Sequence, residues 1–209
     1  MQRYLVLIGD VVSSKKIPER MKFQNELQAL FADLNNKNNS LISPYTITLG
    51  DEFQAVFTNP QRLFLDIFSI MERTWPVRIR FSLGIGTIAT QINKNQAIGM
   101  DGQAFHCARE GMSKMRRQNS LLNIKGLQNP ERALIEENLN LLSFHMQKWK
   151  ANRFAILRQL MADTSIIAIA ESQNLTDKAI YKAIQINGIG IIHKVIREIT
   201  NIIAKELKG

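Results

Sequence analysis

The first half of the chain alternates between apolar runs of strand length and stretches with helical spacing. Consecutive apolar residues at 4–8 end at Gly9-Asp10, which is typical of a central strand covered on both faces. Pro18 suits the first turn of a helix, and apolar positions then recur at helical spacing from Met21 to Leu34. The chain is therefore predicted to open with a strand followed by a helix.

A hairpin and a second helix follow in the same pattern. Residues 45–49 and 53–57 have strand character, and the Gly50-Asp51 dipeptide between them is typical of a hairpin turn. Pro60 opens a second helix, and residues 77–90 have the composition of a long strand. Gly84 and Gly86 in that strand indicate a bulge or a close approach of another backbone. A third helix is predicted over residues 102–117.

The order strand, helix, strand, strand, helix, strand is the split βαβ arrangement of a ferredoxin-like sheet, so we predict an α+β fold. Asn129-Pro130 then supplies a cap and a first-turn proline for a helix that ends near residue 149. Later helical periodicity is interrupted at 163–165, 174–176 and 187–190. We predict three parts: a ferredoxin-like domain over 1–128, a connecting helix over 129–150, and an all-α helix-turn-helix domain over 151–209.

The excess of basic residues indicates which kinds of partner to expect. Lys and Arg number 27 against 18 Asp and Glu, which gives a net charge of +9. A basic protein attracts polyanions, so nucleic acid and nucleoside triphosphates are the expected partners, although many basic proteins bind neither. Cys107 is the only cysteine, and neither a signal peptide nor a run long enough to cross a bilayer is found. We therefore expect a cytoplasmic protein without a membrane partner.

The acidic residues at the strand ends are candidate metal ligands. Asp10 closes the first strand, and Asp51 and Glu52 lie at the tip of the hairpin. Adjacent central strands of the predicted sheet would bring these residues together. Carboxylate oxygens are preferred ligands of Mg²⁺ or Mn²⁺, so the three residues are predicted to hold such a cation. Ordinary turn chemistry explains an Asp at a strand end equally well.

The residues after the first strand could hold phosphate groups. Their backbone amides, hydroxyls and ammonium groups are the donors that a triphosphate requires. A nucleotide is therefore an expected ligand. The candidate nucleotide-binding residues are Ser13, Ser14, Lys15, Lys16 and, in the hairpin turn, Gly50.

The same segments carry a family resemblance. The hairpin 48–53 resembles the signature of GGDEF-type nucleotide cyclases, and the chain as a whole resembles the SatD family of bacterial proteins. The matching segments are 7–14, 50–54, 84–86 and 100–105. The resemblance implies a cyclase-like or palm-like domain with Asp10 and Asp51 as metal ligands and Arg109 as a phosphate contact. Leu49 replaces the first glycine of the cyclase signature, so diguanylate synthesis is not implied.

The C-terminal segment 166–184 has the features of a helix-turn-helix. Ala170 is small where two helices would cross, Asn174 tolerates the left-handed turn, and Leu175 and Ile180 are predicted to fill the interior. The spacing resembles phage-repressor motifs, in which the second helix enters the major groove. A plain αα-hairpin is the alternative. The candidate DNA-binding residues are Thr176, Asp177, Lys178, Tyr181, Lys182 and Gln185.

Two functions follow from these features. The first is a DNA-binding regulator, expected to be a homodimer, whose N-terminal domain binds a magnesium-nucleotide complex. The second is a metal-dependent nucleotidyl cyclase or transferase that acts on a nucleoside triphosphate. The sequence identifies no catalytic residue, and the question of enzymatic activity stays open at this point.

Overall fold

A computed structural model describes residues 1–208 as a mixed sheet with helices on both faces and a helical C-terminal part. The strands are β1 (Tyr4–Val11), β2 (Leu41–Ile47), β3 (Glu52–Phe57), β4 (Ile79–Gly86) and β5 (Leu122–Lys125). The helices are α1 (Arg20–Lys37), α2 (Leu63–Thr74), α3 (Gln103–Gln118), α4 (Arg132–Met146), α5 (Ala151–Met161), α6 (Ile166–Gln173), α7 (Asp177–Ile186) and α8 (Ile189–Lys208).

The sheet has the order β2-β3-β1-β4-β5. Its first four strands pair antiparallel, with β1 between β3 and β4, as two interleaved βαβ units require. The predicted α+β class and the order of the first six elements are confirmed. The fifth strand was not predicted: β5 pairs parallel with β4, and α3 forms the crossover between them.

The two faces of the sheet have different partners. Alternate residues of β1 such as Leu5 and Leu7 pack with α1 and α2, while Val6 and Ile8 pack with α3. The backbone of α3 lies very close to β4, since a Cβ added at Gly84 would lie 2.1 Å from the carbonyl oxygen of Ala104. The prediction that Gly84 permits a close approach is therefore confirmed.

The C-terminal helices continue the apolar core of the sheet. Helix α4 packs on β5, α5 packs on α2, and α8 packs on α5 and α7. One apolar cluster runs from Leu5 in the sheet to Leu207 in α8. The Nε of Arg158 in α5 also lies 2.7 Å from the Oε2 of Glu72 in α2. The boundaries proposed at residues 128 and 150 stay a prediction.

Several element boundaries differ from the predicted ones. Strand β4 is shorter than the predicted segment 77–90, and the chain from Thr87 to Gly102 has no regular element. The predicted breaks between the C-terminal helices are confirmed, because α5 ends at Met161 and α7 begins at Asp177. Within residues 1–208, no helix combines the length and the apolar character needed to cross a bilayer.

Candidate functional site

The candidate site lies on the α3 side of the sheet, at the end of β1. Asp10 is directly opposite Glu52 on β3 and Arg80 on β4. Directly opposed residues of neighbouring strands point to the same face, so these three side chains form a row across the sheet. Asp10 is only 7% exposed. A buried carboxylate needs compensating partners, and the row supplies one of them.

Two arginines bind the two oxygens of Asp10. The Nη1 of Arg80 donates to Oδ2 at 3.0 Å, and the Nη2 of Arg116 in α3 donates to Oδ1 at 2.8 Å. The side chain of Arg80 is 14% exposed, whereas that of Arg116 is 53% exposed. The Arg116 guanidinium also lies 3.9 Å from Oε2 of Glu52. Arg80 is thus a partly buried partner of Asp10, and Arg116 covers the carboxylate from the solvent side.

Asp51 joins the hairpin to the chain segment that follows β1. Its carbonyl oxygen accepts from the backbone N–H of Val11 at 3.1 Å, and its Oδ2 accepts from the hydroxyl of Ser14. On the other side of the turn, the Nε2 of Gln24 donates to the carbonyl of Gly50 at 2.9 Å. Gly50 has a φ of 64°, which a glycine adopts without strain. The turn therefore holds Asp51 beside the end of β1.

The pKa of Glu52 depends on the charges around it. Partial burial raises its pKa, and the carboxylates of Asp10 and Asp51 raise it further. The guanidinium groups of Arg116 and Arg109 act in the opposite direction. The carboxylates of Asp10 and Asp51 and the guanidinium groups of Arg116 and Arg109 thus all act on Glu52, and the two arginines belong to α3.

The predicted phosphate-binding residues are not all equally available. Ser13, Lys15 and Lys16 are exposed in and beside a short 3-10 turn, Ser14–Lys16, which directly follows β1. The hydroxyl of Ser14 is engaged by Asp51. Arg109 lies 3.3 Å from Asp101 through its Nη1, so its nearest carboxylate is outside the acidic cluster.

Arg80 and Arg116 were not predicted from the sequence as residues of this site. A charged residue between the apolar residues Ile79 and Phe81 was one available signal, since a buried arginine requires a carboxylate partner. Arg116 follows Arg109 by seven residues on α3, so the two lie on the same face of that helix. No local signal connects either residue to Asp10.

The donor chemistry of the cluster suits a hard divalent cation, because Asp10, Asp51 and Glu52 offer carboxylate oxygens. Both oxygens of Asp10 accept hydrogen bonds from arginines. Residues 1–208 contain no group of three or more His, Cys, Asp and Glu that could hold a metal ion, so the three carboxylates stay candidate ligands. A cation at Asp10 would compete with the two guanidinium groups, and Arg116 is the more exposed of them.

The C-terminal candidate surface is formed by α6 and α7. Asn174 adopts the left-handed conformation with a φ of 52°, and the side chain of Thr176 accepts from the backbone N–H of Ala179 at 3.3 Å. Ile180 and Ala170 are buried as predicted, but the prediction that Leu175 fills the interior is wrong, since it is 42% exposed. All the predicted DNA-binding residues are exposed: Thr176, Asp177, Lys178, Tyr181, Lys182 and Gln185.

Comparison with known proteins defines the class. The sequence profile of the SatD family matches residues 4–203, and the chain therefore belongs to the SatD family. The sequence resemblance to this family is confirmed. No protein with a curated description is similar enough to count as a relative.

The solved structures to which the chain is similar include nucleotide cyclases. The guanylyl cyclase domain of a RhoGC fusion protein from the aquatic fungus Blastocladiella emersonii is 19% identical, with a TM-score of 0.41 over 54% of this chain and 73% of that one. A bacterial light-regulated adenylyl cyclase is 18% identical, with a TM-score of 0.43 over 59% of this chain and 42% of that one.

Proposed function

We propose that this protein binds a nucleoside triphosphate together with Mg²⁺ or Mn²⁺ at the acidic cluster of Asp10, Asp51 and Glu52. The observation that carries the proposal is that Asp10 and Glu52 are directly opposite each other, with Asp51 next to Glu52 in the turn and with the exposed Lys15, Lys16 and Arg116 near the same end of β1. Carboxylates hold the cation, and cationic side chains hold the phosphates that the cation does not neutralise.

The proposal assigns different tasks to the two arginines of Asp10. Arg80 is held in β4 and its side chain is only 14% exposed, so it stays with Asp10. Arg116 is half exposed on the last turn of α3, and its long side chain can rotate toward solvent. When Arg116 leaves Asp10, its guanidinium is free to bind a phosphate. A cation held by Asp10 and Asp51 would then neutralise phosphate charge.

The phosphate contacts in this proposal come from both sides of the cluster. Lys15 and Lys16 extend from the turn after β1, and the backbone amides beside Ser13 and Gly50 are near the same edge. Arg109 would exchange its exposed contact with Asp101 for a phosphate oxygen. The ligand is thus predicted to lie over the end of β1, with its phosphates toward α3.

Binding measurements with matched variants test the proposal. Isothermal titration calorimetry with each nucleoside triphosphate and Mg²⁺ should detect one ligand whose affinity falls at least tenfold in Asp51→Asn. Asp163→Asn is the control, since it makes the same charge change at an exposed turn between α5 and α6. Absence of binding to every triphosphate, or equal affinity in both variants, contradicts the proposal.

Arg116→Ala separates the two tasks given to this arginine. If Arg116 covers the cation position, its removal increases the affinity of the nucleotide-free protein for Mn²⁺. If Arg116 also contacts phosphate, the same variant binds nucleotide more weakly than the original chain does. Electron paramagnetic resonance of free Mn²⁺ and nucleotide calorimetry measure these two affinities separately.

Turnover at this cluster would make the protein a nucleotidyl cyclase or transferase, and we include this activity in the proposal. Incubation with each triphosphate and Mg²⁺ or Mn²⁺, followed by chromatography, should yield a new product that Asp51→Asn does not form. If nucleotide binds and no product appears, the protein is a nucleotide-binding protein without this activity.

DNA binding by α7 is the second candidate function. The observation that favours it is that Lys178, Tyr181 and Lys182 are exposed on α7, which a capped turn connects to α6. A helix presented in this way suits the major groove, and a homodimer would present two copies. Lys178→Glu with Lys182→Glu should abolish a salt-sensitive DNA complex that Lys22→Glu with Lys94→Glu leaves intact. Equal DNA affinity in both double variants contradicts this assignment.

A further inference from the structure

A second cavity lies where the sheet meets the C-terminal helices. It has a volume of about 290 Å³ and is bounded by the end of α2, the start of β4 and the junction of α4 with α5. The sequence contains two tryptophans, Trp75 and Trp149, and both line this space. We call it the tryptophan cavity. It shares no lining residue with the acidic cluster.

The walls of the tryptophan cavity are apolar. Met71, Ile79, Met146 and Phe154 contribute buried side chains. Trp149 is also buried and packs on Phe154, with the ring centroids 5.3 Å apart. These groups remain in place when the cavity is entered, because each belongs to the core of the protein. The floor is therefore suited to a flat hydrocarbon surface.

The rim of the cavity combines an exposed aromatic ring with positive charge. Trp75 is 45% exposed, although the preceding residue Thr74 is buried. The charged lining residues are Arg78, Lys148 and Lys150, and no Asp or Glu within residues 1–208 lines the cavity. One Nη of Arg78 donates to the carbonyl of Gln147 at 2.9 Å, which leaves further guanidinium donors for another acceptor.

We propose that the tryptophan cavity binds a small aromatic molecule that carries one anionic group. The ring lies against Trp75 and the apolar floor, because aromatic rings favour stacked and edge contacts beyond simple area burial. The carboxylate, sulfonate or phosphate of the ligand is held by the cations of the rim. The volume is near the lower limit of about 300 Å³ for small-molecule pockets, so one or two rings fit and a dinucleotide does not.

A ligand in this cavity would stabilise the folded protein, because the cavity lies between two separate parts of the chain. The carbonyl of Arg78 accepts from the backbone N–H of Val12 at 2.8 Å, so one wall is bonded to the segment that follows β1. The opposite wall is the turn between α4 and α5. A bound ligand contacts both walls and raises the melting temperature of the whole chain, with the logarithm of its concentration divided by Kd once the cavity is nearly saturated.

Nuclear magnetic resonance of the indole N–H groups tests this proposal directly, because both indole signals arise from cavity residues. The probes are 2-naphthoate, its neutral carboxamide and the aliphatic anion hexanoate. We expect saturable shifts of both indole signals with 2-naphthoate, at least tenfold weaker binding of the carboxamide, and no saturation with hexanoate. Equal affinity for the acid and its amide would overturn the anionic half of the proposal, and equal affinity for hexanoate would overturn the aromatic half.

Variants of the rim provide the second test. Lys148→Glu with Lys150→Glu should weaken 2-naphthoate binding at least tenfold, while Lys22→Glu with Lys94→Glu makes the same charge change elsewhere and should leave it unaltered. Lys150→Gln removes one charge without reversing it and should give a smaller loss if the double variant fails to fold. Unchanged affinity in the rim variants, or no indole shift with any probe, overturns the proposal.

Discussion

The cationic side chains at the end of β1 and those on α7 have different surroundings. At the end of β1, Arg80 and Arg116 bind the two oxygens of the buried Asp10. On α7, Lys178 and Lys182 are exposed, and none of the ion pairs within residues 1–208 includes either of them. The two arginines are therefore bound to a carboxylate within the protein, whereas the two lysines are available to a partner molecule.

This difference shows why net charge alone is a poor guide to function. A count of +9 treats every Lys and Arg as equal. A buried guanidinium between carboxylates contributes little to the field outside the protein, whereas an exposed lysine without a carboxylate neighbour contributes fully. Substitutions at the end of β1 should therefore affect stability more than substitutions of the exposed lysines on α7.

The largest effect is expected at Asp10. Asp10→Ala leaves Arg80, whose side chain is only 14% exposed, without a carboxylate, and breaking one side of a largely buried pair costs about 3–5 kcal/mol of stability. Urea unfolding at pH 7 measures the change. Asp33→Ala is the control, because Asp33 is also paired with two cations but on the exposed surface of α1, and it should lose far less. Equal losses in the two variants would refute the structural role of the Asp10 row.

A somewhat smaller effect is expected where α3 meets β4. In Gly84→Ala the new Cβ would lie 2.1 Å from the carbonyl oxygen of Ala104 and 2.5 Å from the backbone nitrogen of Ala108, so α3 must move. Overpacking of this kind costs about 1–3 kcal/mol. Gly190→Ala is the same substitution in α8, where the nearest heavy atom is 3.8 Å away, and helix propensity predicts unchanged or slightly higher stability. The melting temperature should therefore fall in Gly84→Ala and stay the same or rise slightly in Gly190→Ala.

The features that the sequence predicted well are those with local causes. Asp10 follows a strand of consecutive apolar residues, and Gly50-Asp51 is a turn dipeptide, so neighbouring residues specify both positions. The breaks before α6 and α7 are also local, because Ser165 and Thr176 cap the helices with their own hydroxyls.

The features that the sequence did not predict depend on distant contacts. Asp10 is separated from Arg80 by 70 residues and from Arg116 by 106, so no spacing rule connects them. Strand β5 has four residues, and its pairing with β4 requires the crossover through α3. Leu175 was placed inside because apolar residues often are, yet the turn that it occupies faces solvent.

Unlike Asp10, Asp66 is a buried carboxyl whose side-chain hydrogen-bond donors within residues 1–208 are both neutral. Asp66 accepts hydrogen bonds from the amide of Asn38 and from the hydroxyl of Tyr45, at 3.3 Å for the latter. Burial raises its pKa to about 6 from the ordinary value of 3.8. Between about pH 4 and pH 6 the folded state therefore binds more protons than the unfolded state, so this residue lowers stability as pH rises through that window.

Asp66→Asn should remove that pH dependence. The variant is expected to be more stable than the original chain at pH 7 by about 3 kcal/mol, and about equally stable at pH 4, because a neutral amide replaces a neutral carboxyl there. Urea unfolding at several pH values measures the difference between the two proteins. A stability difference that does not change with pH would show that Asp66 does not titrate in this window.

The smallest effect is expected on α7, and it completes the contrast with Asp10. Lys178→Ala with Lys182→Ala removes two exposed ammonium groups that make no ion pair within residues 1–208. The free energy of unfolding should stay within about 0.5 kcal/mol of the original value. Chemical denaturation measures it, with Ile180→Ala as the control, because that side chain is fully buried beside them and its truncation costs about 2–5 kcal/mol. A large loss in the lysine variant would mean that these residues stabilise the helical part, and their availability to DNA would no longer follow.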